Sequence, residues 1–397
     1  MEKTYFSNKV YIYTFIMSIL VVLIHSVNFA DDNTILLTMI QSADYNNIDL
    51  SGLTGIPAHV ENFLSNAVGQ AAVPGFFLVS GYLFFRGLKD LKDIGNKWKK
   101  RFMSLVIPYG AWNIFYYIIY VLLGKERFSL TRLHRAVAEY SCNPVFWYVF
   151  QLILLTVLAP LFFILLRNRI LTFGSMLLYT LLVVNGVDFP LINEDALYYF
   201  FFGALTARWF KESFETQSTG KMICGLGLIT ASWLTQVFTT VGMQMFVMAP
   251  VDFHKMGIIQ YLYVGGEISK MMGVLISRWP KHWLVLILSS GGQVLVNVIR
   301  RFLICYGIWF ILPLRLPTAR DFMKNSFFLY AIHYPIARIG IYMLEYMNVG
   351  YHKAEDQALR LFLYFVTPVI CVSAAYLMKK MLSRKTPFIW KIFSGGR

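Results

Sequence analysis

From Tyr11 to Ile24 the chain reads Tyr-Ile-Tyr-Thr-Phe-Ile-Met-Ser-Ile-Leu-Val-Val-Leu-Ile, with no charged side chain, and His25 closes the run. A segment apolar all round cannot be the one-sided face of a soluble surface helix, so it reads as a membrane-spanning helix. An ionisable group inside such a helix is costly unless it faces a polar cavity, which makes His25 a functional candidate. The alternative reading is a histidine that packs between helices and bonds to a neighbour.

Similar blocks recur along the chain. It is 57% hydrophobic and 14% charged over 397 residues, and the apolar residues fall in runs rather than amphipathic stripes. The composition predicts an all-α polytopic membrane protein, a bundle of about ten to twelve transmembrane helices. Further spans are expected at Val68–Phe85, Met103–Leu123, Val145–Leu166, Ile170–Val187, Leu197–Phe210, Met222–Thr240, Phe327–Met347 and Leu361–Met378. Between Val241 and Leu316 the number is open, because Glu267, Lys270, Arg300 and Arg301 interrupt the apolar stretches. With no low-complexity linker and no soluble block, a single membrane domain is expected over residues 1–397.

The net charge of +15 would suggest nucleic acid in a soluble protein, but here it is sorted by side of the membrane. No Lys or Arg lies between Lys9 and Arg86, an interval that holds Asp31, Asp32, Asp44, Asp49 and Glu61. The positive-inside rule then puts the loop from Ala30 to Ala67 outside and the N-terminus in the cytoplasm. Arg86, Lys89, Lys92, Lys97, Lys99, Lys100 and Arg101 mark the next loop as cytoplasmic, and the basic tail Lys379–Lys391 joins it if the spans are even in number. The loop from Lys125 to Glu139 breaks the rule with four cations on the outer side, and an amphipathic segment would account for them. A cleaved signal peptide is disfavoured, since Asn28 fits poorly before a cut at Ala30.

Cys142, Cys224, Cys305 and Cys371 show no paired spacing and no accompanying histidine cluster, so neither a disulfide framework nor a metal site is expected. The absence of a glycine-rich phosphate loop disfavours a nucleotide hydrolase or kinase.

Several motifs, in order along the whole chain, resemble the integral-membrane acyltransferase type 3 family. They are Leu-Val-Val-Leu-Ile-His25-Ser; Pro74-Gly-Phe-Phe-Leu-Val-Ser-Gly-Tyr-Leu83; Lys99-Lys-Arg-Phe-Met-Ser-Leu-Val-Ile-Pro-Tyr109; and Phe146-Trp-Tyr148 with Gln151. Tyr198-Tyr-Phe-Phe-Phe-Gly203, Ser326-Phe-Phe-Leu-Tyr-Ala-Ile-His333 and a tail of Pro387 with Ser394-Gly-Gly-Arg397 continue the match, which is weakest from Val241 to Leu316. The resemblance implies transfer of an acyl group, acetyl or another short chain, from cytoplasmic acyl-coenzyme A to a hydroxyl of a polysaccharide, lipid-linked or other cell-envelope acceptor. It also implies His25 as the catalytic residue, a multi-pass cell-membrane location, and acyl-coenzyme A as a donor substrate rather than a resident cofactor. Two positions depart from the family pattern. Thr14 stands eleven residues before His25, where the family commonly has Arg or Lys, and Ser104 stands where a second cation often follows Arg101. These departures leave open a specialised donor.

The chemistry of the residues agrees with such a role. An alcohol is a poor nucleophile at neutral pH, so acyl transfer needs a base or a covalent relay, and a neutral imidazole serves either purpose. The carbonyl oxygen gains charge and needs donors, for which Ser80, Tyr82, Trp147, Tyr148 and Gln151 are candidates. Their bland readings are close helix packing for Ser80 and the aromatic belt for Trp147 and Tyr148. His333, beside Pro335, is a second intramembrane histidine that would orient His25, bind donor phosphate or simply cap a packed helix. Lys99, Lys100 and Arg101 are candidates for donor phosphate, with topogenic charge as the alternative and Arg101 preferred for its place at the mouth of the third span. The rival function is a transporter or flippase for a lipid-linked or small solute, with His25 as proton relay, although no inverted repeat is visible. A structural partner in an envelope assembly is the third reading, and it predicts that His25 is replaceable.

Overall fold

The computed structural model describes residues 2–26, 57, 60, 61, 63–185, 187, 189, 191–247, 266–347 and 356–396, and these form helices and turns with no strand among them. Helix α1 (Glu2–His25) carries the first apolar run. Helix α2 (Ala72–Phe85) is entered through a π turn at Phe63–Val68 and a 3-10 turn at Gly69–Ala71, so the whole stretch Phe63–Phe85 is long enough to cross a membrane. Helix α3 (Leu91–Arg101) starts at a capping box in which the Asp90 side chain accepts from the Lys92 and Asp93 amides. A second π turn, Phe102–Val106, leads from it into α4 (Ile107–Leu122). The following helices are α5 (Leu130–Ala138), α6 (Trp147–Val157), α7 (Ala159–Leu165), α8 (Arg169–Val184), α9 (Glu194–Trp209) and α10 (Lys211–Glu215). The chain continues as α11 (Thr219–Val247), α12 (Gly266–Ser277), α13 (Lys281–Leu288), α14 (Ser290–Ile311), α15 (Ser326–Tyr346), α16 (Gln357–Lys385) and α17 (Pro387–Ser394).

Six described helices are long and apolar enough to span a bilayer, or seven if the bent pair α6 and α7 forms one span. The expected ten to twelve is not reached on length and composition alone: α8 and α9 have 16 residues each, and α15 carries His333 and Arg338. In the open region after Val241, α12 and α13 are short and α14 alone among the described helices qualifies as a span. Its two arginines are not lipid-facing defects. Arg300 donates to Gln236 Oε1 at 2.9 Å, while Arg301 pairs with Asp195 and donates to Gln70 Oε1 at 3.0 Å. Most of the expected outer loop from Ala30 to Ala67 lies outside the described residues. The cation-rich segment after Lys125 contains α5, which buries Ala136 and packs Leu133 and Val137 on the core while exposing Arg132 and Arg135. It is the amphipathic segment that the charge pattern called for.

Prolines shape two of the helices, and each leaves a carbonyl to be satisfied from elsewhere. Pro160 has no N–H to donate to the Thr156 carbonyl, and α6 and α7 bend by 56° at this break. The Trp98 indole donates to that carbonyl at 2.6 Å instead. In α15, Pro335 likewise deprives the Ala331 carbonyl, which accepts from the Tyr116 hydroxyl at 2.8 Å. At the end of α2, Lys97 donates to the carbonyls of Leu83 and Arg86 at 3.2 and 3.3 Å, where a helix C-terminus favours a cation.

Arg86 forks onto Glu215 with bonds of 2.7 and 3.0 Å, and the Tyr82 hydroxyl adds a third at 2.5 Å. Burial alone would raise the Glu215 carboxyl, but the hydrogen bonds from Arg86 and Tyr82 outweigh it and hold the group below the ordinary carboxylate range. The latch joins α2 to α10, beside the N-terminal half of α1, where Lys9 donates to Gln217 Oε1 at 3.2 Å. Asn8 reaches the Pro317 carbonyl at 2.7 Å and Lys379 pairs with Asp321, so residues 5–9, 86–101, 211–217, 313–325 and 379–394 gather at one end of the bundle, the basic end.

The closest helix crossing is α2 against α9. A Cβ on Gly81 would sit 2.1 Å from the Phe200 carbonyl oxygen, and one on Gly203 would sit 2.0 Å from that of Leu78, so the two backbones touch through reciprocal glycines. Gly225 and Gly307 play the same part between α11 and α14. Gly81→Ala or Gly203→Ala is expected to lower the thermal stability of the detergent-purified protein by roughly 1–3 kcal/mol as the helices are forced apart. Helix propensity alone would stabilise either variant by about 1 kcal/mol, so an upward shift of the melting temperature would contradict the crossing.

Candidate active site

Helix α1 ends at His25, half-buried, and α15 lies along it. The His333 ring centre is 5.3 Å from that of His25, with the planes 44° apart, and the Tyr334 ring stands edge-on to His25 at the same distance. Two consecutive residues of α15 therefore flank the one histidine at the end of α1. His333 is fully buried, and its Nδ1 lies 2.6 Å from the Tyr330 carbonyl oxygen. A carbonyl only accepts, so Nδ1 carries the proton and the neutral ring leaves Nε2 as an acceptor. Among the described residues Nε2 has no hydrogen-bond partner, a cost a protein core rarely bears without a use for the atom.

A cavity of about 300 Å³ opens below this pair, towards the basic end. Its walls come from α1 (Tyr11, Thr14), α2 (Val79, Ser80), the junction of α3 with the π turn (Arg101, Ser104), α6 (Tyr148, Leu152) and the start of α15 (Lys324 just before it, Tyr330). The π turn is what aims Arg101 and Ser104 inward, since the extra residue in the turn rotates the face that a regular helix would present. The C-terminal tail braces the same turn from behind: Gly395, at φ 69°, lies so close to the Ser104 carbonyl oxygen that a Cβ would be 2.7 Å from it. The Trp112 indole donates to the Phe393 carbonyl at 2.9 Å and fastens the tail helix.

Tyr330 joins the cavity to the histidines. Its side chain forms part of the cavity wall, its ring is 5.5 Å from that of Tyr148 and 5.6 Å from that of His333, and its own carbonyl holds His333 Nδ1. The Tyr330 hydroxyl is anchored on the Val145 carbonyl.

Of the residues singled out in the sequence, Ser80, Tyr148 and Arg101 line the cavity, and His25 and His333 meet beyond its inner end. Thr14 and Ser104, the two departures from the family pattern, line it as well. The others stand elsewhere. Tyr82 is bound to Glu215 in the latch, and Gln151 brackets the turn before α9, donating to the Leu191 carbonyl and accepting from the Asn193 amide, both at 3.0 Å. Trp147 is half-buried against Phe77, and Lys99 and Lys100 are exposed on α3. Sequence reasoning missed Lys324 and Tyr334. Nothing in its linear surroundings marks Lys324, whereas Tyr334 directly follows His333 and its adjacency was the available signal.

Tyr116 replaces the donor that Pro335 withdraws from the Ala331 carbonyl, two residues before His333. Tyr116→Phe is expected to destabilise the purified protein by about 1 kcal/mol, the worth of one buried hydrogen bond, and to lower its turnover without changing the amount inserted. Turnover and melting temperature equal to wild type would mean that the Ala331 carbonyl does not need this partner.

Comparison with curated proteins and with solved structures gave no match for this chain. A family model described as an acyltransferase domain matches residues 14–379, a stretch that contains His25, the cavity walls from Thr14 to Tyr330, and His333. The chain therefore belongs to the integral-membrane acyltransferase type 3 family.

Proposed function

We propose that this membrane acyltransferase takes an acyl group from acyl-coenzyme A at the basic end and passes it to a hydroxyl of a saccharide or other cell-envelope acceptor beside His25. The observation that carries the reading is the arrangement around Tyr330: a cation-bearing cavity on one side, and on the other His333, held by its carbonyl and packed against His25. A donor with an anionic carrier and a reactive thioester at the far end of a narrow arm matches that order of groups.

In this reading His25 removes the proton of the acceptor hydroxyl as its oxygen attacks the thioester carbonyl. The new C–O bond forms, the C–S bond breaks, and the thiolate leaves towards the cavity and collects the proton. His333, its own tautomer set by the Tyr330 carbonyl, packs its ring against His25 and keeps it in place. Tyr148, in the cavity wall beside Tyr330, supplies a hydroxyl donor towards the carbonyl oxygen as charge builds on it, while Ser80 lines the path of the donor's arm. Water exclusion by the surrounding aromatic rings strengthens each of these interactions.

The proposed orientation places the basic end in the cytoplasm, with both termini there and the loop from Ala30 to Ala67 outside, in a multi-pass cell-membrane protein. In a variant lacking the native cysteines, Asp44→Cys should react with a membrane-impermeant thiol reagent in intact cells. Labelling only after lysis would reverse the orientation.

His25→Ala should lower acyl transfer by at least about a hundredfold, the least that loss of a positioned base removes, while the protein inserts and melts as wild type does. Mass spectrometry of envelope glycans and lipids from cells with the wild type, the variant or neither would identify the added mass and its acceptor. An ester that persists in the variant would remove His25 from the chemistry. Solute movement by the wild type without any ester would favour a transporter.

A further inference from the structure

We infer that Lys324 and Arg101 form a two-sided cation clamp at the basic end of the cavity and hold the anionic carrier of the acyl donor between them. The inference rests on the donor reading above and adds the group that selects the donor's charge.

The two cations reach the cavity from separate elements. Arg101 comes from the last turn of α3, and Lys324 from the 3-10 turn Asp321–Asn325 that leads into α15. No carboxylate lines the cavity among the described residues. The acid nearest to Lys324 in its own turn, Asp321, is engaged with Lys379 at 2.7 Å, so it does not neutralise the cavity. The Lys324 ammonium instead lies over the Tyr11 ring, 5.8 Å from its centre, a weak partner that an anion would readily outcompete. Both cations line one cavity, and an anion bound there gains attraction from each.

The remainder of the cavity narrows the class of ligand. Between the cations and Tyr330 the walls offer the neutral hydroxyls of Thr14, Ser80 and Ser104 among aliphatic and aromatic side chains. Such walls suit an uncharged arm that hydrogen-bonds along its length, not a second charged group. At about 300 Å³ the space is at the small end of ligand pockets, roughly 300–1,000 Å³. A slender arm is accommodated there. Charge at one end and neutrality along the arm describe a phosphate-bearing thioester such as acetyl-coenzyme A, as opposed to a lipid-borne acyl donor.

The test compares two probes on the purified full-length protein in nanodiscs: acetyl-coenzyme A, and S-acetylpantetheine, which has the same arm and acyl group without phosphate. Lys324→Ala should weaken acetyl-coenzyme A binding about tenfold, the scale of one lost charge-assisted contact, leave S-acetylpantetheine binding unchanged and flatten the dependence on salt. Lys324→Arg should stay within about twofold of wild type. If Lys324→Ala binds acetyl-coenzyme A normally while Arg101→Ala does not, the clamp is overturned and the donor reading stands. Equal weakening of both probes would also overturn it, because that is the signature of a collapsed cavity. Failure of the wild type to bind acetyl-coenzyme A would remove the donor reading and the clamp together.

Discussion

Inside a bilayer a backbone carbonyl has no water to turn to, and this one constraint shapes the molecule from the bent spans to the candidate catalytic histidines. Two of the helix prolines, Pro160 and Pro335, withdraw donors that other side chains replace. The replacements come from aromatic side chains on other helices: Trp98 for the carbonyl opposite Pro160, and Tyr116 for the carbonyl opposite Pro335. An indole or phenol suits the task because its body is at home in the apolar interior while its single N–H or O–H does the bonding. The bend between α6 and α7 is thereby tied to a specific tertiary contact, and α15, satisfied by Tyr116, presents His333 and Tyr334 to His25.

Close packing without a hydrophobic driving force requires small residues at crossings, and the motif glycines serve that end. Gly81 and Gly203 belong to two different motifs, yet they form a single feature, each making room for the backbone opposite the other. The apposition holds α2 in place, and α2 in turn supplies Val79 and Ser80 to the cavity wall and Arg86 to the latch with Glu215. The polar groups in spans follow a related rule. Arg300 and Arg301 would be prohibitive against lipid, and they are carried inward onto Gln236, Gln70 and Asp195.

Division of labour between the two ends follows from these features. At the basic end, charge, a π turn and the braced tail surround the cavity. Beyond Tyr330 the cations give way to a buried imidazole whose second nitrogen has no hydrogen-bond partner among the described residues. The surroundings thus change from charged in the cavity to neutral around the histidines beyond it.

Local chemistry in the linear chain was enough for the all-helical membrane class, the singular position of His25 and the second histidine beside a proline. Apolar periodicity and isolated ionisable groups are properties of a segment, legible without knowing its neighbours. The span count was less legible, because helices such as α8 and α9 are too short to qualify alone and depend on the bundle around them. Only the tertiary structure placed Lys324 with Arg101, 223 positions earlier in the chain, diverted Tyr82 to Glu215 and Gln151 to the turn before α9, and paired Gly81 with Gly203. Those outcomes are set by which helices lie side by side, and adjacency between distant segments is decided by packing and hydrogen-bond satisfaction across the whole bundle rather than by any residue's own neighbours in the chain.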